Sequence, residues 1–385
     1  TPNLDRLASQ GVVFENAYCP SPICVPSRMS TLTARYPVET SVWTNDDMLH
    51  SQLPTMAHSL GAAGYRPLLH GRMHSVGPDQ LRGYADRVVG DIGSNWESIR
   101  NLALGVLQNA QAPGLVSIEQ SGQGQSGYQL HDVAVAGAAC EQLRAFGKER
   151  GKTPGAGAAE PFAMSVGFVL PHCPYVATEE DYQRYAATVG MPRLGRPDPA
   201  TEHPWQAWWR TESGIDTPPD DAVIRARAAY YGLVTRVDTL IGEIVQTLEE
   251  CGLADNTLIV YTSDHGEQIG ERGHWWKNTF YEESVKVPLI ISWPGHFVGG
   301  QRRRQVVNLT DMTATLLDAM GAPALPNASG RSFLNVLHDE GAPWLDETFS
   351  EYVTHDVPFW TWGMAVQQRM IRSGRWKLTY YHGYR

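Results

Sequence analysis

Apolar segments that alternate with helical segments are the feature that most constrains the fold of this chain. Strands are predicted at residues 65–70, 162–168, 257–261 and 287–292, and helices at residues 132–146 and 222–251. Strands that are separated by helices form a largely parallel sheet with helices on both faces. The pattern therefore predicts an α/β protein, a three-layer α/β/α sandwich around a central, mostly parallel sheet.

Length, charge and hydropathy limit the classes of function. The chain has 385 residues and 42% hydrophobic content, which suits one large α/β domain with a small appendage. Its 41 acidic and 31 basic residues give a formal net charge of -10 without a long acidic block, so we expect no nucleic-acid partner. The basic run 302–304 is predicted to be a solvated loop, and so is the Gly-, Ala- and Pro-rich segment 151–161. Because no apolar run reaches transmembrane length, we expect no membrane partner.

The cysteines are few and scattered. Cys19, Cys24, Cys140, Cys173 and Cys251 form an odd-numbered set without C-x-x-C spacing. This spacing predicts neither a disulfide framework nor a zinc site. It favours a reducing compartment, and therefore a cytoplasmic over a periplasmic location.

Polar clusters follow predicted strands at the points where those strands end. The clusters are Gly71-Arg72-Met73-His74, Pro171-His172 and Ser263-Asp264-His265-Gly266. A single histidine at a strand end is usually structural, but ligands of open α/β sheets bind beyond the carboxyl ends of the strands. We therefore expect these clusters to meet in one site. Asp264 and His265 either offer ligands to a divalent ion or form a turn in which Asp264 accepts backbone N–H groups.

Two further segments are open to more than one interpretation. Cys24 lies in Cys24-Val25-Pro26-Ser27-Arg28, either as a buried loop cysteine or as a residue with special chemistry. Residues 190–221 carry several prolines and three tryptophans, and are predicted to be irregular and to overhang a substrate cleft. Their indole rings either cover apolar surface or form an aromatic box for a quaternary ammonium group. The rings belong to Trp205, Trp208 and Trp209.

Short blocks along nearly the full chain resemble, in order and spacing, the type I sulfatases of the alkaline-phosphatase superfamily. The blocks are residues 1–7 with Gly11 and Phe14, Cys24 to Arg28, 71–74, Pro171-His172, 262–266, Trp276-Lys277 and 287–290. The choline-sulfatase branch is the most similar one. That similarity is carried by the run Gly71 to Tyr84 with Asp91-Ile92, by Asn45 and by the loop Gly270 to Gly273.

The resemblance implies an alkaline-phosphatase-like fold and the hydrolysis of a small-molecule sulfate ester to an alcohol and inorganic sulfate. Cys24 would be converted to formylglycine by a formylglycine-generating or other sulfatase-maturing enzyme, and one hydroxyl of the aldehyde hydrate would attack sulfur. One divalent metal ion, Ca²⁺ in preference to Mn²⁺ or Mg²⁺, would be bound by Asp264, His265 and the modified Cys24.

The family pattern also implies roles for individual side chains. Arg28 would hold the hydrate and the metal-ligand carboxylates, and Lys277 would bind a sulfate oxygen and the bridging ester oxygen. His74 would contact the hydrate and take its proton, while His172 together with Lys277 would protonate the leaving group. Arg72 stands where the family usually has Lys, which keeps the charge but alters the geometry.

The chain departs from the family pattern in several places. Family members begin with a strand that ends in two acidic or amide residues of the metal site, and this sequence begins after that strand. We expect residues 1–345 to form the catalytic α/β domain without its usual first strand. Residues 346–385 are expected to begin a small, truncated β-rich C-terminal subdomain, with a first hairpin at 370–378. Cys173 stands where the choline-sulfatase branch tends to have Asp.

Two alternatives to a sulfatase remain open on the sequence. A phosphonate monoester or phosphodiester hydrolase of the same superfamily can share both the formylglycine and the Asp-His pair, and relative rates on aryl sulfates and aryl phosphonates would separate the two. A non-catalytic chain that lacks the first strand is the other alternative. The resemblance also allows a homo-oligomer.

Overall fold

The computed structural model describes residues 1–92, 114–150, 160–354 and 366–382. Its helices are α1 Pro2–Gln10, α2 Cys24–Thr33, α3 Pro37–Thr40, α4 Met56–Ala62, α5 Val116–Glu119, α6 Gly127–Arg150, α7 Glu179–Ala186, α8 Pro204–Glu212, α9 Asp220–Glu250, α10 Glu282–Val285, α11 Leu309–Ala319 and α12 Leu334–His338. Its strands are β1 Val12–Tyr18, β2 Arg66–Gly71, β3 Asp86–Arg87, β4 Gly122–Gln123, β5 Phe162–Gly167, β6 Val176–Ala177, β7 Ile259–Thr262, β8 Lys286–Val287, β9 Leu289–Ser292, β10 Gln301–Asn308, β11 Glu347–Thr354, β12 Val366–Ser373 and β13 Trp376–Tyr381. None of the helices in these ranges is both long and apolar enough to span a membrane.

The strands form two sheets that carry the polar clusters. The larger sheet has the order β10-β1-β9-β7, with β8 paired to β1. In it β1 runs parallel to β10, whereas β9 runs antiparallel to both β1 and β7. The second sheet, β3-β2-β5, is entirely parallel. The antiparallel direction of β9 is a local exception to the predicted parallel order.

Helices pack on these sheets through apolar side chains. Leu143 and Phe146 of α6 and Leu248 of α9 form one cluster with Leu68 of β2, and Ile259 of β7 packs against it. Burial of such side chains stabilises the fold by about 1.5–3 kcal/mol each. The 31-residue helix α9 is amphipathic and keeps Ala226, Ala229 and Leu233 buried. The largest core cluster joins β1, β9 and β10 to α8 and to the C-terminal sheet.

The C-terminal sheet is separate and antiparallel, with the order β11-β12-β13. The hairpin β12-β13 lies where the sequence predicted the first hairpin, and it turns at Gly374, whose φ of 53° suits a residue without a Cβ. The domain boundary at 345/346 stays a prediction.

The structure contradicts the sequence predictions for two segments. Residues 302–304 are not a loop but lie in β10, where Arg303 is buried and donates to the carbonyl oxygens of Val336 and Leu337. Within residues 190–221, the helix α8 buries Trp205 and Trp209, which pack in the core with β1 and β9. These two rings therefore cover apolar surface and do not overhang a cleft. The predicted loop 151–161 lies largely outside the described residues.

Candidate active site

Cys24 begins helix α2, and the carboxyl ends of β2, β5 and β7 face it. Its thiol is 2% exposed. The side chain of Asn45 accepts a hydrogen bond from the backbone N–H of Val25 at 2.9 Å, which satisfies one of the free donors in the first turn of α2.

Two cationic or protonatable groups contact the Cys24 thiol directly. Lys277 Nζ lies 3.0 Å and His265 Nε2 3.2 Å from Sγ. Burial by itself raises the pKa of the thiol, but the positive charges of Lys277 and His265 outweigh it and hold that pKa well below its ordinary value. A negative charge at position 24 is therefore stabilised by its surroundings.

Asp264 and His265 lie beside Cys24 and offer ligand atoms. The donor atoms of the three residues all lie within 4.8 Å of one another, and this is the group of possible metal ligands found in the described part of the chain. His265 Nδ1 lies 2.8 Å from the carbonyl oxygen of Gly266, which can only accept, so Nδ1 carries a proton and the neutral ring would offer its Nε2 lone pair to a ligand. These three residues supply only part of the coordination sphere of a divalent cation, because an oxygen-preferring ion takes about six ligands or more.

Arg28 joins Asp264 to the end of the second sheet. Its Nε donates to Asp264 Oδ2 at 2.7 Å, and its Nη1 donates to the carbonyl oxygen of Arg72 at 3.0 Å. Burial raises the pKa of the Asp264 carboxyl, but Arg28 and then His265 lower it, with a net shift below the ordinary value. Asp264 is consequently a carboxylate under all ordinary conditions.

Lys277 and His172 form a pair on the other side of Cys24. Lys277 Nζ lies 3.1 Å from His172 Nε2, and His172 Nδ1 lies 2.6 Å from the carbonyl oxygen of Cys173. Burial, with the Lys277 charge, lowers the pKa of His172 to about 4. The imidazole is therefore neutral near pH 7, with a lone pair on Nε2 that accepts from Lys277.

Arg72 and His74 complete the site from the end of β2. Arg72 Nη2 lies 2.9 Å from His74 Nδ1, and His74 lies against Cys24 with a φ of 58°. Burial and then the Arg72 charge lower the pKa of His74. Gly71 and Gly167 face each other across β2 and β5, and a Cβ on Gly167 would collide with the Arg72 carbonyl oxygen, so glycine is needed for this approach.

The structure brings all of the predicted site residues together around one point. They are Cys24, Arg28, Arg72, His74, His172, Asp264, His265 and Lys277. Cationic side chains outnumber carboxylates among them, so the site suits an anionic group.

The sequence did not indicate two buried aspartates that position the strand-end loops. Asp91 accepts the backbone N–H groups of Met73 and His74, at 3.1 and 2.6 Å. Asp132, on α6, accepts those of Val169 and Leu170, at 2.8–3.0 Å, just before His172. Asp91 entered the sequence argument only as part of a similar run. Asp132 lies in no motif, and nothing in the sequence alone distinguishes it.

Glu267 is a further, partly buried carboxyl that the sequence did not single out. It follows His265 by two residues, and its pKa is raised by burial although Lys277 counteracts the shift. Its position directly after the Asp264-His265 pair is the signal that would have drawn attention to it.

Comparisons with known proteins agree with this geometry. The sulfatase family model matches residues 1–322, and a model for the C-terminal part of N-sulphoglucosamine sulphohydrolase matches residues 270–384. A choline-sulfatase of Rhizobium meliloti is 32% identical over 98% of this chain and 73% of its own length. A multifunctional alkaline phosphatase superfamily protein of Trinickia caryophylli is 30% identical over 93% of this chain and 75% of its own.

Solved structures give the same result for the fold. A phosphonate monoester hydrolase from Silicibacter pomeroyi superposes with a TM-score of 0.78 at 26% identity, over 99% of this chain and 82% of its own. The predicted alkaline-phosphatase-like α/β class is thereby confirmed. The family model covers most of the sequence, and the relative above 30% identity spans nearly all of it. The chain belongs to the sulfatase family.

Proposed function

We propose that this chain hydrolyses a small-molecule sulfate ester at a formylglycine formed from Cys24. The observation that carries the proposal is the position of Cys24, buried at the first residue of α2 with Lys277 at 3.0 Å and His265 at 3.2 Å. Members of the sulfatase family generally use formylglycine and a divalent metal ion. When present, these groups supply the hydroxyl nucleophile and the polarisation of the sulfuryl oxygens.

The side chains of this protein would bind the sulfate group and transfer a proton to the leaving group. Lys277 and the Arg28 and Arg72 guanidinium groups offer donors to the oxygens on which negative charge develops. Lys277 and Arg72 are 4% and 9% exposed, and such burial strengthens these interactions. Lys277 holds the proton nearest to His172 Nε2, so this pair can deliver a proton to the departing alkoxide.

Asp264 and His265 would hold the metal ion, with an oxygen of the converted residue 24. His265 Nε2, which faces residue 24, would be the ligand atom, because Nδ1 faces the carbonyl oxygen of Gly266. Ca²⁺ is the ion we expect in preference to Mn²⁺ or Mg²⁺, since it accepts irregular oxygen-rich sites.

We further propose that one more strand completes the ligand set. In the described residues β5 pairs with β2 and β7 pairs with β9, and every residue of both strands is partly exposed. Phe162 of β5 and Ile259 of β7 pack against the same apolar cluster. A parallel strand between them would end beside Asp264 and His172, where its side chains would reach the metal.

The proposal is tested by co-expression with a formylglycine-generating enzyme. Mass spectrometry of the peptide containing Cys24 should show conversion of the thiol to the aldehyde. The mature protein should then release sulfate from an aryl sulfate and from choline sulfate, and Cys24→Ala should abolish this release. An unmodified thiol, or full conversion without sulfate release from the whole gene product, would contradict the proposal.

Aryl phosphonate monoesters are assayed in parallel. The alternative function, a phosphonate monoester or phosphodiester hydrolase, requires a higher kcat/KM on these substrates than on the matched aryl sulfate. A chain that is fully converted and active only on phosphonates would replace the sulfatase proposal by this alternative.

A further inference from the structure

We propose that Arg72 and Asp91 hold His74 as the Nε2–H tautomer, so that His74 donates a hydrogen bond to the nucleophile at position 24. The inference rests on the proposed function, because it assigns a role within the same site. It makes Asp91 a positioning residue, which acts on the nucleophile through Arg72 and His74.

The hydrogen-bond partner of His74 decides where the ring proton lies. A guanidinium group contains donors and no acceptor. Arg72 Nη2 lies 2.9 Å from His74 Nδ1, so Nδ1 must accept from it with its lone pair. A neutral imidazole carries one proton, which therefore lies on Nε2, and the ring presents a donor to Cys24.

Asp91 fixes both partners of this contact. Its Oδ1 pairs with Arg72 Nη1 at 3.4 Å, and its Oδ2 accepts from the backbone N–H of His74 at 2.6 Å and from Arg87 Nη2 at 3.3 Å. The side chain of Asp91 is only 3% exposed. Both oxygens of the Asp91 carboxylate thus accept hydrogen bonds. This carboxylate orients the guanidinium group of Arg72 and the turn that carries His74.

The other two imidazoles near Cys24 have the opposite tautomer. His172 Nδ1 faces the carbonyl oxygen of Cys173 at 2.6 Å, and His265 Nδ1 faces that of Gly266 at 2.8 Å. A carbonyl oxygen accepts only, so both rings carry a proton on Nδ1, and the neutral His172 ring has its lone pair on Nε2. Position 24 therefore faces the Nε2–H donor of His74, whereas the His172 lone pair accepts from Lys277.

Nitrogen NMR of the protein with an unmodified Cys24 tests the tautomers directly. Long-range proton–nitrogen correlations of the [15N]histidine-labelled chain should show the proton on Nε2 for His74 and on Nδ1 for His172, with assignments from His74→Asn and His172→Asn. In Arg72→Met, which removes the donor, the His74 pattern should change to the average of both tautomers, while His172 stays unchanged as an internal reference.

A wild-type His74 with its proton on Nδ1, or a His74 pattern that Arg72→Met leaves unaltered, would overturn the proposal. Because this measurement needs neither formylglycine nor turnover, it separates the tautomer from the proposed function. A chain that shows the expected tautomers but hydrolyses no sulfate ester would contradict only the proposed function.

Asp91→Asn tests the positioning role in the mature enzyme. An amide must turn its NH₂ group toward either Arg72 or the backbone N–H of His74, so it opposes a donor with a donor. We expect kcat to fall by about tenfold or more with little change in KM, together with a shift of the His74 correlations. Asp79→Asn is the matched control, since Asp79 pairs with Arg82 in the same loop and should leave both readouts unchanged. A fall in kcat without any change in the His74 correlations would refute the positioning role of Asp91.

Discussion

Lys277 connects the two sides of the site, because its single ammonium group contacts both Cys24 and His172. It is 4% exposed. Burial is the largest single influence and lowers its pKa, but Cys24, Cys173 and Asp264 together outweigh burial and leave the pKa above its ordinary value. In an enzyme that carries the aldehyde at position 24, the same ammonium group is the donor nearest to both the nucleophile and the His172 lone pair. We therefore expect its charge to act on both sides of the reacting group.

Lys277→Met should reduce kcat for an aryl sulfate by about 10²–10³-fold, because removal of one preorganised donor commonly has an effect of this size. Methionine keeps most of the side-chain volume, so the fold should persist. Lys286→Met, at an exposed position of β8, is the control and should be as active as the wild type. Steady-state kinetics of the matured proteins measures kcat for each variant. An equal loss of kcat in both variants would contradict the role of Lys277.

His274 gives the protein a predictable sensitivity to acid. The ring is fully buried, and burial together with Arg210 lowers its pKa to about 3. The unfolded chain binds a proton at this histidine near pH 6.5, whereas the folded chain does not, so stability falls as the pH drops from 6.5 toward 3. At pH 5 the difference is roughly 2 kcal/mol for this group.

His274→Gln should therefore lose less unfolding free energy between pH 7 and pH 5 than the wild type does. Chemical denaturation at the two pH values measures this difference. His50→Gln replaces an exposed histidine and should keep the wild-type pH dependence. If the wild type and His274→Gln lose the same free energy, His274 is not the group responsible.

Motif residues of the site were predictable because strand ends carry them to a common edge of the sheet. Arg72, His172 and Asp264 all follow strands that the sequence pattern indicated. Asp91 and Asp132 were not predictable, because an isolated aspartate is most often a surface residue and only the fold brings it under a loop. Their contacts are with backbone N–H groups, which leave no pattern in the sequence.

At the scale of single elements, α8 shows how composition can mislead. Several prolines flank the segment, but Pro204 occupies the first turn of the helix, where a proline is tolerated. Trp205 and Trp209 are four residues apart, so they lie on the same face and stack at 5.7 Å in the core. The strand β10 is the second case, since its alternation places Arg302 and Arg304 outward and Arg303 inward, and a basic run alone does not distinguish this from a loop.

Trp209→Ala should destabilise the fold by about 3–5 kcal/mol, because it removes a large buried ring from the core. KM for choline sulfate and for an aryl sulfate should not change relative to each other. Trp208→Ala, at a partly buried position of the same helix, should cost clearly less stability. Chemical denaturation and substrate kinetics measure the two effects. A selective rise in KM for choline sulfate in Trp209→Ala would instead support an aromatic box.

At the scale of the whole molecule, the two sheets share the helices α6 and α9. Helices α6 and α9 support β2, β5 and β7 through a common cluster, and the polar ends of these strands all reach Cys24. The sequence pattern predicted the strands and the helices between them, since each forms locally. It did not predict the antiparallel β9, because strand direction depends on pairing between segments far apart in the chain.

The partly exposed edges of β5 and β7 lead to a prediction for any longer chain in which further residues precede Thr1. If those residues supply a parallel strand between the two edges, the backbone amides of β5 and β7 should exchange hydrogen more slowly than in the chain that begins at Thr1. The strand would also bring its own ligands to Asp264 and His265, so Ca²⁺ should bind more tightly and raise the unfolding free energy more. Amides of the hairpin β12-β13 should exchange equally in both forms and serve as the reference. Equal exchange at β5 and β7, with equal Ca²⁺ affinity, would mean that the edges stay unpaired and that the ligand set is completed by other means.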